Sequence, residues 1–277
     1  MNAVYVPLSY VDVAIAASLV ALNAAISIAL GLGLARRLIL AAARMTVQLL
    51  LVGLVLKTLF SIENPWLTLA AALFMGLVAG REILARQETP LAGPWGYGVG
   101  AVSIMAAGGL VTIFGLTVQI AHDPWYAPRF ALPLFGMILG NGMTGIALGL
   151  DGLTSLARRE RPAIEAALTL GATRWQALRP HLRRALATGL MPVINAMAAT
   201  GVVSLPGMMT GQILSGVEPT EAVKYQLLIM FLIAGSTGLG VLAAVFGTAL
   251  RLTDQRHRLR LDRLARRGST GDSTAKE

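Results

Sequence analysis

The chain has 277 residues, of which 55% are hydrophobic and only 13% are charged, and its net charge is +9. Soluble domains carry about a quarter charged residues, and a chain of this length cannot bury so much apolar surface in one soluble core. These values exclude an ordinary soluble domain. Cysteine is absent, which excludes disulfides, thiolate metal sites and cysteine nucleophiles.

Apolar runs, taken in chain order, predict an all-α polytopic membrane bundle of about seven transmembrane helices. The runs are 13–35, 38–56, 64–80, 89–121, 130–150, 185–217 and 225–250. Pro192 and Pro206 are expected to break the sixth helix, because proline removes a backbone donor. The transmembrane permease domain is therefore predicted to cover residues 1–250. A basic tail, 251–277, follows it, and we expect disorder at its end.

The positions of lysine and arginine predict the orientation of the bundle. With the N-terminus outside, 19 of the 23 lysines and arginines fall in inner segments, three in outer segments, and Arg44 within a span. Cytoplasmic loops carry this excess of positive charge. The pattern predicts a multi-pass protein of the bacterial cytoplasmic (inner) membrane with a cytoplasmic C-terminus. The charge of +9 therefore reflects orientation, and nucleic acid is not expected as a partner.

One sizeable inner loop, 151–184, is patterned as two helices. Pro162 suits a first helical turn, Gly171 can end that helix, and a second, amphipathic helix starts near Thr173 with one basic face. An interfacial helix held by anionic lipid is the alternative interpretation of this pattern alone.

Residues 165–173 read EAALTLGAT, which resembles the EAA-x3-G coupling loop of ABC-transporter permeases. The resemblance implies that this loop docks into a cleft of a cytoplasmic ABC ATPase subunit. The Ile-x-Leu-Pro continuation of importer permeases is not matched, since residues 181–184 read HLRR. The coupling candidates are Glu165, Ala166, Ala167, Gly171, Ala172 and Thr173.

A narrower resemblance rests on further segments between about residues 36 and 250. They are RMTVQL at 44–49, GMILGNGM at 136–143, GVVSLPGMMTG at 201–211 and VKYQ at 223–226. Together they are similar to the FetB (YbbM) family of iron-export permeases. That resemblance implies a homodimeric permease that exports iron and contributes to metal homeostasis and oxidative-stress resistance. ATP and Mg would bind a separate subunit, and this chain would bind no cofactor of its own.

Polar residues within the spans are the candidates for a substrate pathway. Arg44 is the charged residue deepest in a predicted span, and Gln48 lies one turn further on the same face. Snorkelling of Arg44 to the interface is the alternative. The other candidates, with helix packing as the alternative role, are Met137, Asn141, Asn195, Ser204 and Pro206.

Met208 and Met209 follow the predicted helix break and are the candidate metal ligands. Thioethers suit soft ions and are poor ligands for Fe(III), so Fe(II) or chelated iron is the easier cargo. Filling of the apolar core is the alternative role for both residues. Acidic residues close to the spans, such as Asp12 and Asp151, lie mostly at helix ends, so a tight metal cage is not expected.

The sequence contains no motif for catalysis by the chain itself. None of Lys57, Lys224 and Lys276 lies in a Walker A sequence, so ATP must be hydrolysed by a partner. We therefore expect a transporter subunit and not an enzyme. Two alternatives stay open: an importer permease for a small nutrient, and a membrane scaffold or enzyme without a transport role.

Overall fold

The computed structural model describes residues 9–120 and 123–265, and the predicted disorder at the end of the tail lies outside them. Within these ranges the chain forms a helical bundle, which confirms the predicted fold class. The helices are α1 Tyr10–Ala29, α2 Ala35–Ile62, α3 Pro65–Ala85, α4 Pro94–Phe114, α5 Pro128–Arg159, α6 Arg161–Thr169, α7 Arg174–Ala199, α8 Gly207–Leu214 and α9 Pro219–Leu252. A π-helical turn, Gly115–Ile120, extends α4.

Local sequence signals set most of the helix starts. Proline occupies the first turn of α3, α4, α5, α6 and α9, where its missing N–H is not needed. Ser9 and Asp12 form a capping box at the start of α1, and the Asn64 side chain caps α3. These starts are therefore determined within a few residues of the chain.

The long helices alternate in direction through the bundle. Gly145 and Gly149 of α5 lie against Gly189 and Ala185 of α7, in reverse order, so these two helices are antiparallel. A Cβ atom on Gly145 would lie 2.7 Å from the carbonyl oxygen of Gly189, so the two backbones touch. The glycines therefore form packing seams, as their spacing suggests.

Helix α9 runs parallel to α5, because Thr237 lies against Gly145 and Val245 lies against Gly149. The ends of α5 and α9 and the start of α7 therefore meet at one end of the bundle. We call it the arginine-rich end; it carries the α5–α7 connection, residues 160–173.

Six helices are long and apolar enough to cross a membrane within the described ranges, namely α1 to α5, with the π-helical turn counted in α4, and α9. About seven transmembrane helices were predicted, and six helices satisfy the length and composition of a membrane span. The exception is α7, whose first three turns carry Arg174, Arg179, Arg183 and Arg184. It nevertheless runs along α5 and α9 through the bundle.

The sixth predicted run, 185–217, is not one helix, and its predicted break at Pro192 is wrong. Helix α7 continues through Pro192 and ends at Ala199. The chain then turns irregularly until Pro206, which precedes the short helix α8. Helix α7 packs along α5 and α9, and proline is tolerated within helices of membrane bundles.

The first part of the basic tail folds back onto the arginine-rich end. Leu264 is 4% exposed and pairs with Leu91, before α4, in an isolated antiparallel bridge. Ala92 N–H also donates to the carbonyl of Arg263 at 2.7 Å, and Arg158 donates to the carbonyl of Ala265 at 3.1 Å. This part of the tail therefore ties α4, α5 and α9 together.

Candidate functional site

A cleft of about 510 Å³ opens between α2, α3 and α5. Its walls combine charged and amide groups with thioethers and a glycine that has no side chain to fill the space. These residues are Arg44, Gln48, Glu82, Met45, Met75, Met143 and Gly140. The predicted pathway residues Arg44 and Gln48 are thus brought together on one wall.

The charge of Arg44 is compensated across the cleft. Its guanidinium donates to the Glu82 carboxylate on α3 and forms an ion pair with it. Charged side chains within a membrane bundle are costly unless they are paired. Arg44 therefore has a carboxylate partner on α3, although its own side chain is 57% exposed, and the snorkelling alternative does not require such a partner.

Glu82 is the residue of this site that the sequence reasoning missed. The third span was predicted to end at residue 80, which left Glu82 in a loop, whereas α3 continues to Ala85. The sequence did contain a signal for Glu82. An arginine within a span is usually paired with a carboxylate at similar depth, and Glu82 follows the apolar run 64–80 by only two residues.

The cleft offers donors that hold a cation weakly. One carboxylate and one amide oxygen face three methionine thioethers, a mixture of hard and soft donors. Within the described ranges there is no group of three or more His, Asp or Glu that could hold a metal ion. Such a donor set suits passage of an ion better than its storage.

Met137 and Asn141 lie on α5 but not among the residues that line this cleft. The Asn141 amide donates to the Met137 carbonyl at 2.9 Å, one turn earlier in the same helix. Met137 packs against an apolar cluster that contains Ile138 and Ile229. The two residues are therefore separated from Arg44 and Gln48.

The remaining pathway candidates lie around the α7–α8 turn. Asn195 is exposed on α7, Ser204 is exposed in the turn, and Pro206 is the residue before α8. Met208 packs partly buried against the cluster of Ile138 and Ile229, and Met209 is half-buried. These residues form a second group, apart from the cleft.

The predicted helix–glycine–helix is present in the α5–α7 connection. Helix α6 ends at Thr169, and Gly171 adopts φ +90°, a conformation that side chains disfavour. Thr173 and Gln176 then form a capping box that starts α7, with Gln176 N–H donating to Thr173 Oγ at 3.3 Å. A short helix is thus followed by a sharp, well-defined turn.

The turn has a rigid base and an apolar tip. Ile164 on α6 is 1% exposed and packs into the main core, whereas Leu170 at the tip is 89% exposed. Glu165 accepts a hydrogen bond from Arg161 at 2.8 Å one turn earlier. Ala166 and Thr169 share the exposed surface. Leu170 therefore projects from the arginine-rich end, while the base of the turn is packed into the core.

Charged groups brace this connection against α7 and the tail. The Glu160 carboxylate lies 3.0 Å from the His181 ring and 3.0 Å from the Arg184 guanidinium. His257 of the tail accepts from Arg174 N–H at 3.1 Å, where α7 begins. These contacts therefore tie the connection to α7 and to the tail.

An ion pair further along the tail is formed outside the membrane-spanning segments. Arg260 donates to both carboxylate oxygens of Asp262, at 2.9 and 2.8 Å. These hydrogen bonds lower the pKa of Asp262 to about 2. The Asp262 carboxylate is therefore ionised at physiological pH.

Comparison with known proteins identifies the family. The model of a family described as "Uncharacterised protein family (UPF0014)" matches residues 10–252. The chain belongs to this family, and it is a multi-pass membrane protein.

Three similar relatives show the range of names in the family. The UPF0014 membrane protein slr1647 of Synechocystis sp. is 38% identical over 216 residues, 77% of this chain and 82% of the relative. The UPF0014 membrane protein STAR2 of Oryza sativa is 36% identical over 80% of this chain and 76% of the relative. The probable iron export permease protein FetB of Escherichia coli is 30% identical over 85% of this chain and 89% of the relative. No solved structure matches the chain.

Proposed function

We propose that this UPF0014 protein is the membrane-spanning permease subunit of an ABC transporter that exports iron from a bacterial cell. ATP would be hydrolysed, with Mg, on a separate cytoplasmic subunit. The name of the Escherichia coli relative, a probable iron export permease, supports iron as the cargo and export as the direction of transport. The motif at residues 165–173 supports the ATPase partner.

The observation that carries the proposal is the tip of the α6–α7 turn. Leu170 is 89% exposed on a turn whose base, Ile164, is 1% exposed. An apolar knob on a rigid base is suited to insertion into a groove of another protein. Glu165, Ala166 and Ala167 would contact the ATPase along α6, while Gly171, Ala172 and Thr173 would hold the turn.

The same connection links the ATPase to the cleft. Helix α5 runs from Pro128 to Arg159, and α6 follows it after a single residue. Gly140 and Met143 of the cleft lie on α5. A displacement of the turn would therefore be transmitted along α5 to the cleft, which is the relationship that alternating access requires.

Within the cleft we propose that Glu82 binds the cation and Arg44 competes for it. The Arg44 guanidinium forms an ion pair with the Glu82 carboxylate. A cation that enters would displace Arg44, with Gln48 and the methionine thioethers as further donors. The carboxylate is thereby paired in both states, and binding stays weak enough for release.

We further propose that the transporter contains two copies of this chain and two ATPase subunits. The arginine-rich end would face the cytoplasm, because lysine and arginine concentrate on that side. Its activity would contribute to metal homeostasis and resistance to oxidative stress.

The test uses the purified chain with its ABC ATPase in liposomes. We expect the permease to stimulate ATP hydrolysis and the L170D variant to abolish this stimulation, because a carboxylate cannot enter an apolar groove without loss of its hydration. L32D is the matched control: Leu32 is a leucine that is 56% exposed in the α1–α2 turn. Equal stimulation by L170D and wild type would contradict the docking assignment.

The direction of transport and the identity of the transported ion are tested by a second measurement. Inside-out vesicles that contain both subunits should accumulate iron on addition of ATP. Uptake that occurs only in right-side-out vesicles with an external binding protein would favour the importer, and absence of any ATP-dependent flux would favour a role other than transport.

A further inference from the structure

A groove of about 1160 Å³ runs between the first half of α7 and the last part of α9. Trp175, Arg179 and Arg183 of α7 line it at a spacing of four residues, so they share one face of the helix. Phe246 of α9 forms the opposite wall, and its ring centre lies 5.9 Å from that of Trp175. The groove shares no lining residue with the cleft around Arg44.

Two arginines of the groove have no partner in the part of the chain that the structure describes. Arg179 and Arg183 are exposed, and neither makes an ion pair or a hydrogen bond there. Their neighbour Arg184, by contrast, is paired with Glu160. Two guanidinium groups one turn apart suit a phosphate group, because its oxygens can accept hydrogen bonds from both. The charge of the groove therefore favours an anionic ligand.

The groove spans the boundary between lipid headgroups and hydrocarbon. Helix α7 carries no charged residue after Arg184, and α9 carries none between Lys224 and Arg251. Because charged side chains are costly within hydrocarbon, the boundary lies close to Arg184 and Arg251. Leu186 and Phe246, which line the groove, belong to the charge-free parts of these helices, whereas the two free arginines precede Arg184. One half of the groove is therefore at headgroup level and the other is apolar.

Exposed apolar side chains continue the groove into the bilayer. On α7, Met191 and Ile194 follow the groove-lining face at helical spacing, and both are exposed. On α9, Leu242 and Leu239 precede Phe246 on the same face and are also exposed. Basic groups, aromatic rings and aliphatic side chains thus follow one another along the groove. A phospholipid presents its phosphate, its interfacial region and its acyl chains in this order.

Other occupants match the groove less well. Residues 266–277, which follow the described part of the tail, begin with two arginines and contain one hydrophobic residue, Ala275, so they complement neither its charge nor its apolar wall. A cytoplasmic ATPase would meet the arginines but not the charge-free half of the groove. A second copy of the chain would bring mainly positive charge, because four carboxylates at this end are already paired with basic groups of their own chain, namely Glu160, Glu165, Asp254 and Asp262.

We propose that this groove binds one anionic phospholipid, with the phosphate between Arg179 and Arg183 and an acyl chain along Phe246 and Leu242. Basic pockets between membrane helices on the cytoplasmic side bind such headgroups in other proteins. The inference goes beyond the proposed transport, since it requires neither the ATPase nor iron. The basic face of α7 and the tip of the α6–α7 turn at Leu170 then serve different partners, the first a lipid and the second a protein.

The test uses the purified full chain in detergent, freed of native lipid and without ATPase or iron. Phosphatidylglycerol and phosphatidylcholine with identical acyl chains are titrated separately, and bound lipid is counted by native mass spectrometry. We expect one phosphatidylglycerol to bind about tenfold more tightly than phosphatidylcholine, because each arginine adds to the attraction of an anionic lipid. R179Q/R183Q should lose this preference. Its melting temperature without lipid should equal that of the wild type, because neither arginine has a partner to lose.

R36Q/R37Q is the matched control. Arg36 and Arg37 are exposed at the start of α2, and like the groove arginines they form no ion pair within the described ranges. The variant removes the same charge from another part of the protein and should keep the preference for phosphatidylglycerol. Glycerol phosphate, a headgroup without acyl chains, should not displace the lipid at an equal concentration, because it cannot contact the apolar wall at Phe246.

Four results would overturn the proposal. The first is equal binding of the two lipids by the wild type, and the second is an unchanged preference in R179Q/R183Q. The third is an equal loss in R36Q/R37Q, which would show a diffuse effect of net charge. The fourth is displacement of the lipid by glycerol phosphate, which would show a site for a soluble anion. The assay contains neither ATPase nor iron, so a chain that binds the lipid without transporting iron would contradict only the proposed function.

Discussion

Arg44 on α2 and Glu82 on α3 form an ion pair across the cleft, although 38 residues separate them in the chain. Helix α2 otherwise packs loosely, with Leu59 as its buried residue. The pair is therefore both a link between α2 and the bundle and the charged centre of the proposed pathway. These two roles predict different behaviour for single and double variants.

We expect R44Q and E82Q each to lower the thermal stability of the protein, because each leaves one unpaired charge in the membrane. The cost should be below the roughly 2.5–3.5 kcal/mol found for a charge at the centre of a span, because Glu82 lies only three residues before the end of α3. The double variant R44Q/E82Q should recover stability but not iron efflux, since the carboxylate is lost. Unfolding in detergent and flux in liposomes separate the two roles.

The control for this pair is R81Q, since Arg81 is exposed beside Glu82 and makes no ion pair within the described ranges. It should leave both stability and flux unchanged. Full efflux by the double variant would show that the pair is structural only.

Gly140 offers a way to block the cleft without damage to the fold. A Cβ atom at this position meets no atom within 4 Å, and the residue lines the cleft. G140F should therefore fill the cavity and reduce iron efflux to background, while the melting temperature changes little. G109F is the matched control, because Gly109 on α4 has the same open space outside this cleft. Normal flux through G140F would exclude the cleft as the route.

A substitution at Gly171 is expected to act through the backbone conformation alone, without a steric clash. Its φ of +90° is costly for any side chain, although a Cβ atom there has open space. G171A should destabilise the turn by about 1–2 kcal/mol and weaken stimulation of the ATPase. G109A should be neutral or stabilising by up to about 1 kcal/mol, because alanine favours a helix. Circular dichroism melts and ATPase assays measure the two effects, and equal behaviour of the variants would contradict the role of the turn.

A larger side chain at the contact between α5 and α7 is expected to clash with neighbouring atoms and destabilise the protein. A Cβ atom on Gly189 would lie 2.7 Å from Val241 and 2.9 Å from the carbonyl oxygen of Gly145. G189L should therefore cost about 1–3 kcal/mol or more, as overpacked cores do, and lower the yield of folded protein. The measurement is the melting temperature in detergent. A G189L protein as stable as wild type would mean that α5 and α7 are further apart.

Local signals predicted several elements correctly. The apolar runs located the long helices, and Pro162, Gly171 and Thr173 predicted the helix–glycine–helix at residues 161–199. Each of these features depends on groups within about one turn of the chain, so no tertiary contact was needed to recognise it. The sequence did not predict that the second helix of this motif continues into the sixth predicted run, so that α7 is one helix to Ala199. The coupling role of this turn stays a prediction.

Length and composition determined on their own that the chain lies in a membrane, because so few charges and so many apolar residues leave no soluble alternative. Tertiary structure alone decided that Glu82 pairs with Arg44, that α7 ends at Ala199, and that α8 lies at the level of Ile229. The physical reason is that a span is recognised from its own residues. The partner of a charge and the depth of a turn depend on helices that are distant in the chain.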